Sequence, residues 1–328
     1  MALELGAGEV FAAARRIEPY IRRTPLERCF ALEDEVGCGP IYFKLENQQR
    51  TRSFKIRGAL NRVLSLSEEE RRRGIVTASS GNHGQGVAVA ASLAGVKATV
   101  VVPEVTPAVK IREARRWGAE VVKAGADFDA AEKKAWELVR ELGGTFVHPC
   151  IDPGVMAGQG TVGLEIVEEL PVVATVIVPV GGGGLAGGIG MLIKAVCPKV
   201  KIVGVQAASS PALYESFRAG RIVYCPVGET LAEGLAGNAY EETFPLIRRV
   251  VDEMVVVSEE EIARAMAWLA LKAGQVVEGA GAVGVAALLC GKLSLEKGPS
   301  VFILSGGNVD AATLRRIVVQ EGAAVSAG

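Results

Sequence analysis

Histidine is almost absent from this chain of 328 residues, which contains only His83 and His148. A catalytic zinc site commonly takes two or three histidine ligands, so this shortage argues against a histidine-rich zinc centre. The six cysteines are scattered and include no C-x-x-C pair. Such a distribution fits reduced thiols better than a disulfide framework, and the sequence therefore predicts a cytoplasmic protein.

Neither the charges nor the hydrophobic runs indicate a nucleic-acid or membrane partner. The 36 basic and 37 acidic residues are mixed along the chain and give a net charge of −1, so no basic stripe is present. The longest uncharged run, residues 171–193, contains two prolines and seven glycines and fits strand, loop and buried helix better than a membrane span. The segment Met1–Gly6 lacks the basic and apolar regions of a signal peptide.

Hydrophobic patterning predicts an α/β protein of about two domains, because strand-like and helix-like segments alternate along most of the chain. Such alternation is typical of doubly wound parallel sheets. We expect one sheet from the strands near residues 74–147 and another from those after residue 172. The predicted strands are 41–45, 74–78, 97–102, 120–123, 145–147, 173–178, 200–205, 253–257 and 301–304. The predicted helices are 7–19, 53–64 with Ser53 as N-cap, 82–94, 107–117, 127–142, 155–170, 185–196, 259–272, 280–289 and one from residue 311.

Four consecutive glycines, Gly181–Gly184, join a predicted strand to a predicted helix. Each glycine in an ordered segment costs roughly 0.5–1 kcal/mol of stability relative to alanine. Close approach of a ligand to the backbone would explain why four glycines stand together despite this cost. A loop of backbone N–H groups before a helix is suited to a phosphate. Its spacing also fits the dinucleotide fingerprint G-x-G-x-x-G. The acidic residue expected after the next strand is missing, however, since Gln206 stands there. Glycines retained only for packing remain the other alternative.

Three further segments would lie near strand ends, where ligands bind in doubly wound sheets. Thr77–Gly86 combines hydroxyls, an amide and a helix start that suit a carboxylate or a phenolic oxygen, although a simple helix cap explains it as well. Lys55 lies near a helix start, where the macrodipole disfavours cations, but an exposed lysine there is common. Ser305–Asp310 is ambiguous when taken alone.

Taken together, these segments resemble the fold type II pyridoxal phosphate enzymes, specifically the serine/threonine dehydratase family. SFKIRGA, SSGNHGQG, GGGGLAGG, EGAGA and SGGNVD occur here in that family's order, from Lys55 to Asp310. The resemblance implies two doubly wound parallel-sheet domains with the cofactor in the cleft between them. Residues 1–70 and 150–328 would form the large, cofactor-binding domain, and residues 71–149 the small domain that carries the substrate carboxylate loop.

The resemblance also implies a role for each motif residue. Lys55 would form the Schiff base and remove the Cα proton. Phe54 would pack against the cofactor ring, Asn82 would bond its phenolic oxygen, and Ser305 would face the pyridine nitrogen. The phosphate would be held by Gly181, Gly182, Gly183 and Gly184. Ser79, Ser80, Asn82 and His83 would belong to the loop that receives the substrate carboxylate, with Ser80 placed as a second acid or base. Cys150, Asp152 and residues 232–238 would shape the pocket.

The implied reaction is β-elimination of a hydroxy-amino acid such as L-threonine or L-serine, which yields a 2-oxo acid and ammonia. An amino-acid racemase, a dehydratase of hydroxyaspartate or a related substrate, and, from a different class, an NAD-dependent dehydrogenase are the alternatives. A homo-oligomer, dimer or tetramer, is expected. Metal-dependent relatives carry two acidic residues where this chain has Gln206 and Ala212, so we expect no tightly bound divalent cation.

Overall fold

A computed structural model describes residues 5–327, and within them the chain forms two β-sheets surrounded by helices. The segment Met1–Gly6, for which the sequence predicts no signal peptide, therefore lies mostly outside the described residues. The strands are β1 (Leu26–Arg28), β2 (Ile41–Lys44), β3 (Ile75–Ala78), β4 (Ala98–Val102), β5 (Glu120–Lys123), β6 (Thr145–Phe146), β7 (Thr175–Pro179), β8 (Lys201–Ala207), β9 (Glu253–Val257) and β10 (Ser300–Ile303). The helices are α1 (Ala7–Ile17), α2 (Phe30–Val36), α3 (Lys55–Leu64), α4 (Glu68–Arg73), α5 (Asn82–Ala94), α6 (Ala108–Arg116), α7 (Phe128–Leu142), α8 (Pro153–Glu169), α9 (Gly184–Val196), α10 (Ala212–Ala219), α11 (Phe244–Val250), α12 (Glu259–Leu271), α13 (Gly279–Leu289) and α14 (Ala311–Ala327).

Each sheet has one point where the strand order reverses. The larger sheet has the order β1-β2-β10-β7-β8-β9, and the smaller has the order β5-β4-β3-β6. In the larger sheet, β8 and β9 follow on one side of β7, whereas β10 lies on its other side. In the smaller sheet, β4 and β5 follow on one side of β3, whereas β6 lies on its other side. Ligands of doubly wound sheets bind outside the carboxyl ends of the strands at such points. The loops after β7 and β3 are therefore the two positions that the topology selects.

The prediction of parallel sheets is confirmed for every pairing except one at the edge of the larger sheet. Strand β1 pairs with β2 in the antiparallel direction, with Leu26 opposite Lys44. An antiparallel edge strand on an otherwise parallel sheet is common. Its three residues, Leu-Glu-Arg, are too short and too polar to produce a strand pattern, which explains why the sequence did not predict β1.

Helices cover both faces of the larger sheet, as alternation of side chains along its strands requires. On β7, Ile177 packs into one core with residues of α12 and α13, whereas Val176 and Val178 pack into the other with residues of α8 and α9. Phe302 and Val301 of β10 divide between the same two cores. The run 171–193 is thus β7, a loop and α9, as predicted. Within the described residues, no helix combines the length and the apolar character needed to cross a membrane.

The ends of most predicted elements lie within three residues of the observed ends, and Gly95 and Gly143 end α5 and α7 in the left-handed conformation expected of helix caps.

The N-cap assigned to Ser53 is wrong. Helix α3 begins at Lys55 with Phe54 as its N-cap, because Ser53 instead pairs with Gly306 in an isolated antiparallel bridge. The short helices α2, α10 and α11 were not predicted, since seven or eight residues give little periodicity. The strands of the smaller sheet all fall between residues 75 and 146, while the exact domain boundaries stay a prediction.

Candidate active site

The loops that follow β3, β7 and β10 meet at the carboxyl ends of their strands. Strand β10 lies directly beside β7 in the larger sheet. Asn82, which opens α5 after β3, donates a hydrogen bond to Glu278 and accepts one from Asn308, which follows β10. Residues from both sheets therefore contribute to one site between them.

The glycine loop after β7 has no room for side chains. A Cβ placed on Gly182 would lie 2.7 Å from the Tyr240 ring and 2.8 Å from Cys150 Sγ. One on Gly181 would lie 3.1 Å from Leu235 Cα. Gly183 is the N-cap of α9 with φ of 93°, and having no side chain it leaves the first N–H groups of that helix without a capping hydrogen bond. This is a backbone cradle at a helix N-terminus, the arrangement that binds phosphate.

Lys55 is the first residue of α3, and a short bridge fixes the backbone before it. Phe54 N donates to Ser305 O at 3.1 Å, beside the bridge between Ser53 and Gly306. This bridge brings Ser305, at the end of β10, against the start of the lysine helix. The half-buried Lys55 side chain places Nζ 5.2 Å from the centre of the Phe54 ring. The predicted neighbours Phe54, Lys55 and Ser305 therefore do lie together.

A fully buried ion-pair network anchors the same helix two residues after Lys55. Arg57 binds Glu46 through Nε and Nη2, both at 2.8 Å, and Glu165 through Nη1 at 2.6 Å and Nη2 at 2.9 Å. Burial alone would lower the pKa of Arg57, but the two carboxylates outweigh it and raise that pKa. Lys44 Nζ also pairs with Glu165 at 2.6 Å. The start of α3 is thus tied to β2 and α8 by charged groups that have little access to water.

Asn82 is held between two residues to which sequence reasoning gave no role. Its Nδ2 donates to Glu278 Oε1 at 2.6 Å, and its Oδ1 accepts from Asn308 Nδ2 at 2.7 Å. Asn308 also donates to Thr51 O at 2.9 Å. These contacts fix the Asn82 amide and leave its second N–H free for a ligand. Glu278 opens the EGAGA motif and Asn308 belongs to SGGNVD, so the motifs were a signal that could have identified both.

Glu278 is the acidic residue that contacts this amide. Burial at the start of α13 raises its pKa to about 7, against lowering contributions from the hydrogen bonds with Asn82 and the Asn308 backbone. Glu278 N also donates to Gly306 O at 3.0 Å, which links it to the bridge beside Lys55. A carboxyl group that titrates near neutral pH beside Asn82 makes this contact sensitive to pH.

The loop after β3 keeps its helix start uncapped. Gly81 is the N-cap of α5 and provides no side-chain hydrogen bond, while Ser79 Oγ accepts from Gly81 N at 3.2 Å within the turn. The alternative that Ser80 or Asn82 merely caps this helix is therefore not what the structure shows. Ser79, Ser80 and Asn82 are half-buried beside a free helix N-terminus, which suits a carboxylate.

His83 is buried and electrically neutral. Its Nε2 donates to Val147 O at 2.9 Å, and its Nδ1 has no hydrogen-bond partner among the described residues. Burial, assisted by the charge of Lys55, lowers the pKa of His83 to about 3. Its predicted contact with a substrate carboxylate stays a prediction, and a neutral ring would contribute no positive charge to it.

Cys150 and Tyr240 form the wall behind the glycine loop. His148 orders this wall: its Nδ1 accepts from the N–H groups of Cys150 and Ile151, both at 3.0 Å, and its ring packs edge-on against Tyr240 with centroids 5.1 Å apart. Burial raises the pKa of both Cys150 and Tyr240, so the wall is uncharged. Asp152 caps α8 and pairs with Arg62 at 2.9 Å, and its part in shaping the pocket stays a prediction.

Gln206, one of the two positions where the sequence lacks an acidic cation ligand, is buried and accepts a hydrogen bond from Tyr214 N at 2.9 Å. Within residues 5–327, no group of three potential metal-ligating side chains is found. The absence of a tightly bound divalent cation stays a prediction.

Pyridoxal phosphate fits the residues present at this site. The glycine loop offers uncapped backbone N–H donors at the start of α9, and because its glycines have no side chains, a phosphate group can approach those donors closely. Lys55 supplies an amine at the start of a helix, near enough to influence the ionisation of both His83 and Cys150. Asn82 retains an N–H for a phenolic oxygen, and Ser305 is a neutral group suited to face a pyridine nitrogen. Each predicted contact of the cofactor thus has a residue of suitable chemistry.

Comparisons with known proteins agree with this fit. A family model described as pyridoxal-phosphate dependent enzyme matches residues 17–306. The L-threonine ammonia-lyase of Thermotoga maritima is 47% identical over 311 residues, which cover 94% of this chain and 77% of that protein. Maize serine racemase superposes with a TM-score of 0.91 at 34% identity and covers 98% of this chain and 99% of its own. A threonine deaminase from T.th. gives a TM-score of 0.85 at 40% identity, covering 93% and 99%.

These matches decide between the alternatives that the glycine loop left open. The dinucleotide fingerprint at Gly182 is misleading here, because the family model spans most of the chain and the residue after β8 is a buried glutamine rather than an acid. The predicted fold type II architecture and the predicted family are confirmed. The chain belongs to the pyridoxal-phosphate dependent enzymes of fold type II, in their serine/threonine dehydratase group, and its cofactor is pyridoxal 5′-phosphate.

Proposed function

We propose that this enzyme is an ammonia-lyase that dehydrates and deaminates L-threonine, and also L-serine, to the corresponding 2-oxo acid and ammonia. The names of the relatives at 47% and 40% identity, an L-threonine ammonia-lyase and a threonine deaminase, support the reaction. The observation that carries the proposal is the placement of Lys55 at the bridge to Ser305, at the same edge of the larger sheet as the uncapped glycine loop. One methyl group changes binding by only about 1–3 kcal/mol, so acceptance of both substrates is expected.

We assign the cofactor contacts as follows. The N–H groups of Gly181–Gly184 and the start of α9 would hold the phosphate, Phe54 would contact the ring, and the free N–H of Asn82 would donate to the phenolic oxygen. Lys55 is the attachment point. When bound, pyridoxal phosphate supplies the electron sink for the pair released from the Cα–H bond.

The protein residues then position the substrate and move its protons. The free N-terminus of α5, with Ser79 and Ser80, binds the substrate carboxylate. Lys55 Nζ would remove the Cα proton of the bound amino acid as a general base, a step typically worth about 10²–10⁴-fold. The hydroxyl of Ser305 is neutral and does not hold a proton on the ring nitrogen as a carboxylate would. This weaker stabilisation of a carbanion favours prompt loss of the β-hydroxyl.

Racemisation of the same amino acids is a second candidate function. The likeness to maize serine racemase at 34% identity and the position of Ser80, half-buried at the start of α5, support it. Ser80 would return a proton to the face of Cα opposite Lys55. Dehydration of hydroxyaspartate or of another hydroxy-amino acid is tested by the same substrate panel.

We also propose that the enzyme is a cytoplasmic homo-oligomer, a dimer or tetramer, without a nucleic-acid partner. The near-zero net charge and the cysteines, none paired among the described residues, support this environment. Residues 1–70 with 150–328 are proposed as the large domain and 71–149 as the small one. Light scattering of the purified protein measures the oligomeric state directly.

The proposal is tested with purified enzyme and a panel of hydroxy-amino acids. L-threonine should give 2-oxobutanoate and L-serine pyruvate, each with one equivalent of ammonia. Lys55→Ala should lower this activity by at least about 10²-fold, because the base is lost. If Lys55→Ala retains wild-type turnover, the assignment of the base is incorrect, and if neither amino acid yields a 2-oxo acid, the proposed reaction is incorrect.

A further inference from the structure

One ion pair spans the cleft between the two sheets at its rim. Lys110, on α6 beside the smaller sheet, places Nζ 2.6 Å from Oε2 of Glu233, 123 residues later in the sequence. Glu233 opens a 3₁₀ turn, Glu233–Leu235. Among the residues that the structure describes, no other ion pair joins residues 75–149 to the elements around the larger sheet. This ion pair therefore adds to the hydrogen bonds that Asn82 makes with Glu278 and Asn308 across the same cleft.

The turn that carries Glu233 is part of the cofactor site. Its Gly234 O and Leu235 Cα lie where a Cβ on Gly181 would meet them, at 3.4 and 3.1 Å. On its other side, a Cβ on Gly234 would lie 3.2 Å from Ala280 Cβ and 4.0 Å from Glu278 Oε1. The turn is thus packed between the glycine loop and the start of α13, and it is fixed to the larger sheet.

Lys110 belongs to the other side of the cleft. Helix α6 packs against α5 and β5 of the smaller sheet, and α5 begins with the loop proposed to receive the substrate carboxylate. Approach of this loop to the cofactor site would bring α6 toward the turn at Glu233. The ion pair can therefore form only when the two sides of the cleft are close together.

We propose that Lys110 and Glu233 form a closing contact that holds the cleft shut over a bound amino acid. This rests on the proposed function, because it takes the amino acid as the ligand that brings the two sides together. Both side chains are partly exposed, at 36% and 73%, so the contact is weak enough to break for product release and is screened by salt. Closure of this kind excludes water and retains the substrate during reaction.

The contact acts on the closed state and not on the chemistry, so its loss is a loss of affinity. We expect Lys110→Met and Glu233→Gln each to weaken amino-acid binding by about two- to fivefold, as exposed ion pairs typically do. Combining the two should weaken binding no more than either alone, because both remove the same contact. The exchanged pair, Lys110→Glu with Glu233→Lys, should recover most of the affinity.

The experiment measures binding of α-methyl-L-serine, which lacks the Cα proton and so cannot undergo elimination, to the holoenzyme through the visible absorption of the cofactor. Hydrogen exchange in α6 is measured with and without this probe. In the wild type, the probe should slow exchange in α6, and a high concentration of NaCl should raise its Kd toward that of the variants. In the two single variants, both the slowing of exchange in α6 and the salt dependence of the Kd should be smaller than in the wild type.

Lys134→Met is the matched control, because Lys134 pairs with Glu137 within α7 at 3.3 Å and is 35% exposed, as Lys110 is at 36%. It should bind the probe with the wild-type Kd. Equal weakening by this control would overturn the proposal, since the effect would then be one of general surface charge. Weakening by Lys110→Met but not by Glu233→Gln would also overturn it, because Lys110 would then act on the ligand itself.

The salt series on the wild type requires no variant, so a misfolded variant leaves the proposal testable. A wild-type Kd for the probe that does not change with salt contradicts the closing contact. Failure of the proposed function is seen separately: the protein would show no visible cofactor absorption, or would release no 2-oxo acid from L-threonine or L-serine.

Discussion

The loops after β7 and β3 occupy equivalent topological positions in the two sheets, yet they are built from different groups. The loop after β7 presents only backbone, and its glycines are packed against Tyr240, Cys150 and Leu235. The loop after β3 presents hydroxyl and amide side chains that are half-buried, and the space at Gly81 is open. Close packing makes the first loop rigid, whereas the second is positioned by hydrogen bonds.

This difference matches the ligands proposed for the two loops. A cofactor stays bound through many turnovers and needs a preformed site, whereas a substrate must enter and leave in each one. The buried charges around Arg57 extend the rigid side to the start of α3. The contacts of Asn82 and Lys110 belong to the side that we expect to move. Changes on the rigid side should therefore have the larger effects.

The largest effect is expected from Arg57→Met. It leaves Glu46 buried without its partner, and breaking a buried ion pair in this way typically costs about 3–5 kcal/mol of unfolding free energy. Arg62→Met is the control on the same helix, because Arg62 pairs with Asp152 in a partly exposed position and should cost only about 0–1 kcal/mol. Urea unfolding of both holoenzyme variants measures the difference. Similar stability of the two variants would contradict the rigidity assigned to the cofactor side.

The sequence could predict the rigid side because it is encoded locally. Four consecutive glycines between a strand and a helix, and Lys55 at a helix start, are visible as short motifs. The network of Arg57 could not be predicted, since its partners Glu46 and Glu165 come together only through packing of β2, α3 and α8. Ser53 was misassigned for a similar reason: its partner, Gly306, is far away in sequence.

The second largest effect is expected from Gly182→Ala. Its Cβ would overlap the Tyr240 ring and Cys150 Sγ, and an overlap of this kind typically costs about 1–3 kcal/mol. Cofactor affinity should fall by about 10- to 100-fold. Gly81→Ala, where a Cβ meets nothing within 4 Å, should leave cofactor affinity unchanged. Titration of the apoenzyme with pyridoxal phosphate compares the two, and equal affinities would remove the distinction between the loops.

Glu278→Gln tests the side that is held by hydrogen bonds. Because the pKa of Glu278 is raised from 4.5 to about 7, the folded protein retains a proton between these pH values that the unfolded chain has lost. The contribution of Glu278 to stability therefore falls as the pH rises through this window. The variant keeps an acceptor for Asn82 and lacks the titration. Its Tm relative to the wild type should increase by about 4 °C between about pH 5 and pH 8, and a constant difference across this range would show that Glu278 titrates normally.

The smallest effect on dehydration is expected from Ser80→Ala. If Ser80 returns a proton to the second face of Cα, its loss should reduce racemisation of L-serine by about 10²-fold, the usual contribution of a positioned acid, and leave pyruvate formation within a few-fold of the wild type. Chiral analysis of serine alongside pyruvate release measures both. Parallel loss of the two activities would show that Ser80 only binds the carboxylate and does not return the proton.

The contacts that orient Asn82 could not be predicted from the sequence. Asn82 could be identified from SSGNHGQG, but Glu278 and Asn308, which orient it, lie 196 and 226 residues later. Both stand in recognised motifs, yet only the fold shows that their side chains meet Asn82. The pairing of Lys110 with Glu233 left no local signal at all, because exposed lysines are common on helices.

The attachment of the cofactor to Lys55 is the central claim, and borohydride reduction followed by peptide mass spectrometry tests it most directly. Reduction of the yellow holoenzyme should fix the cofactor permanently on one peptide, and fragmentation should place the added mass on Lys55. The same treatment of Gly182→Ala at limiting cofactor should label the same residue to a smaller extent. Label on a different lysine, or no label on a protein that still releases ammonia from L-threonine, would contradict the account.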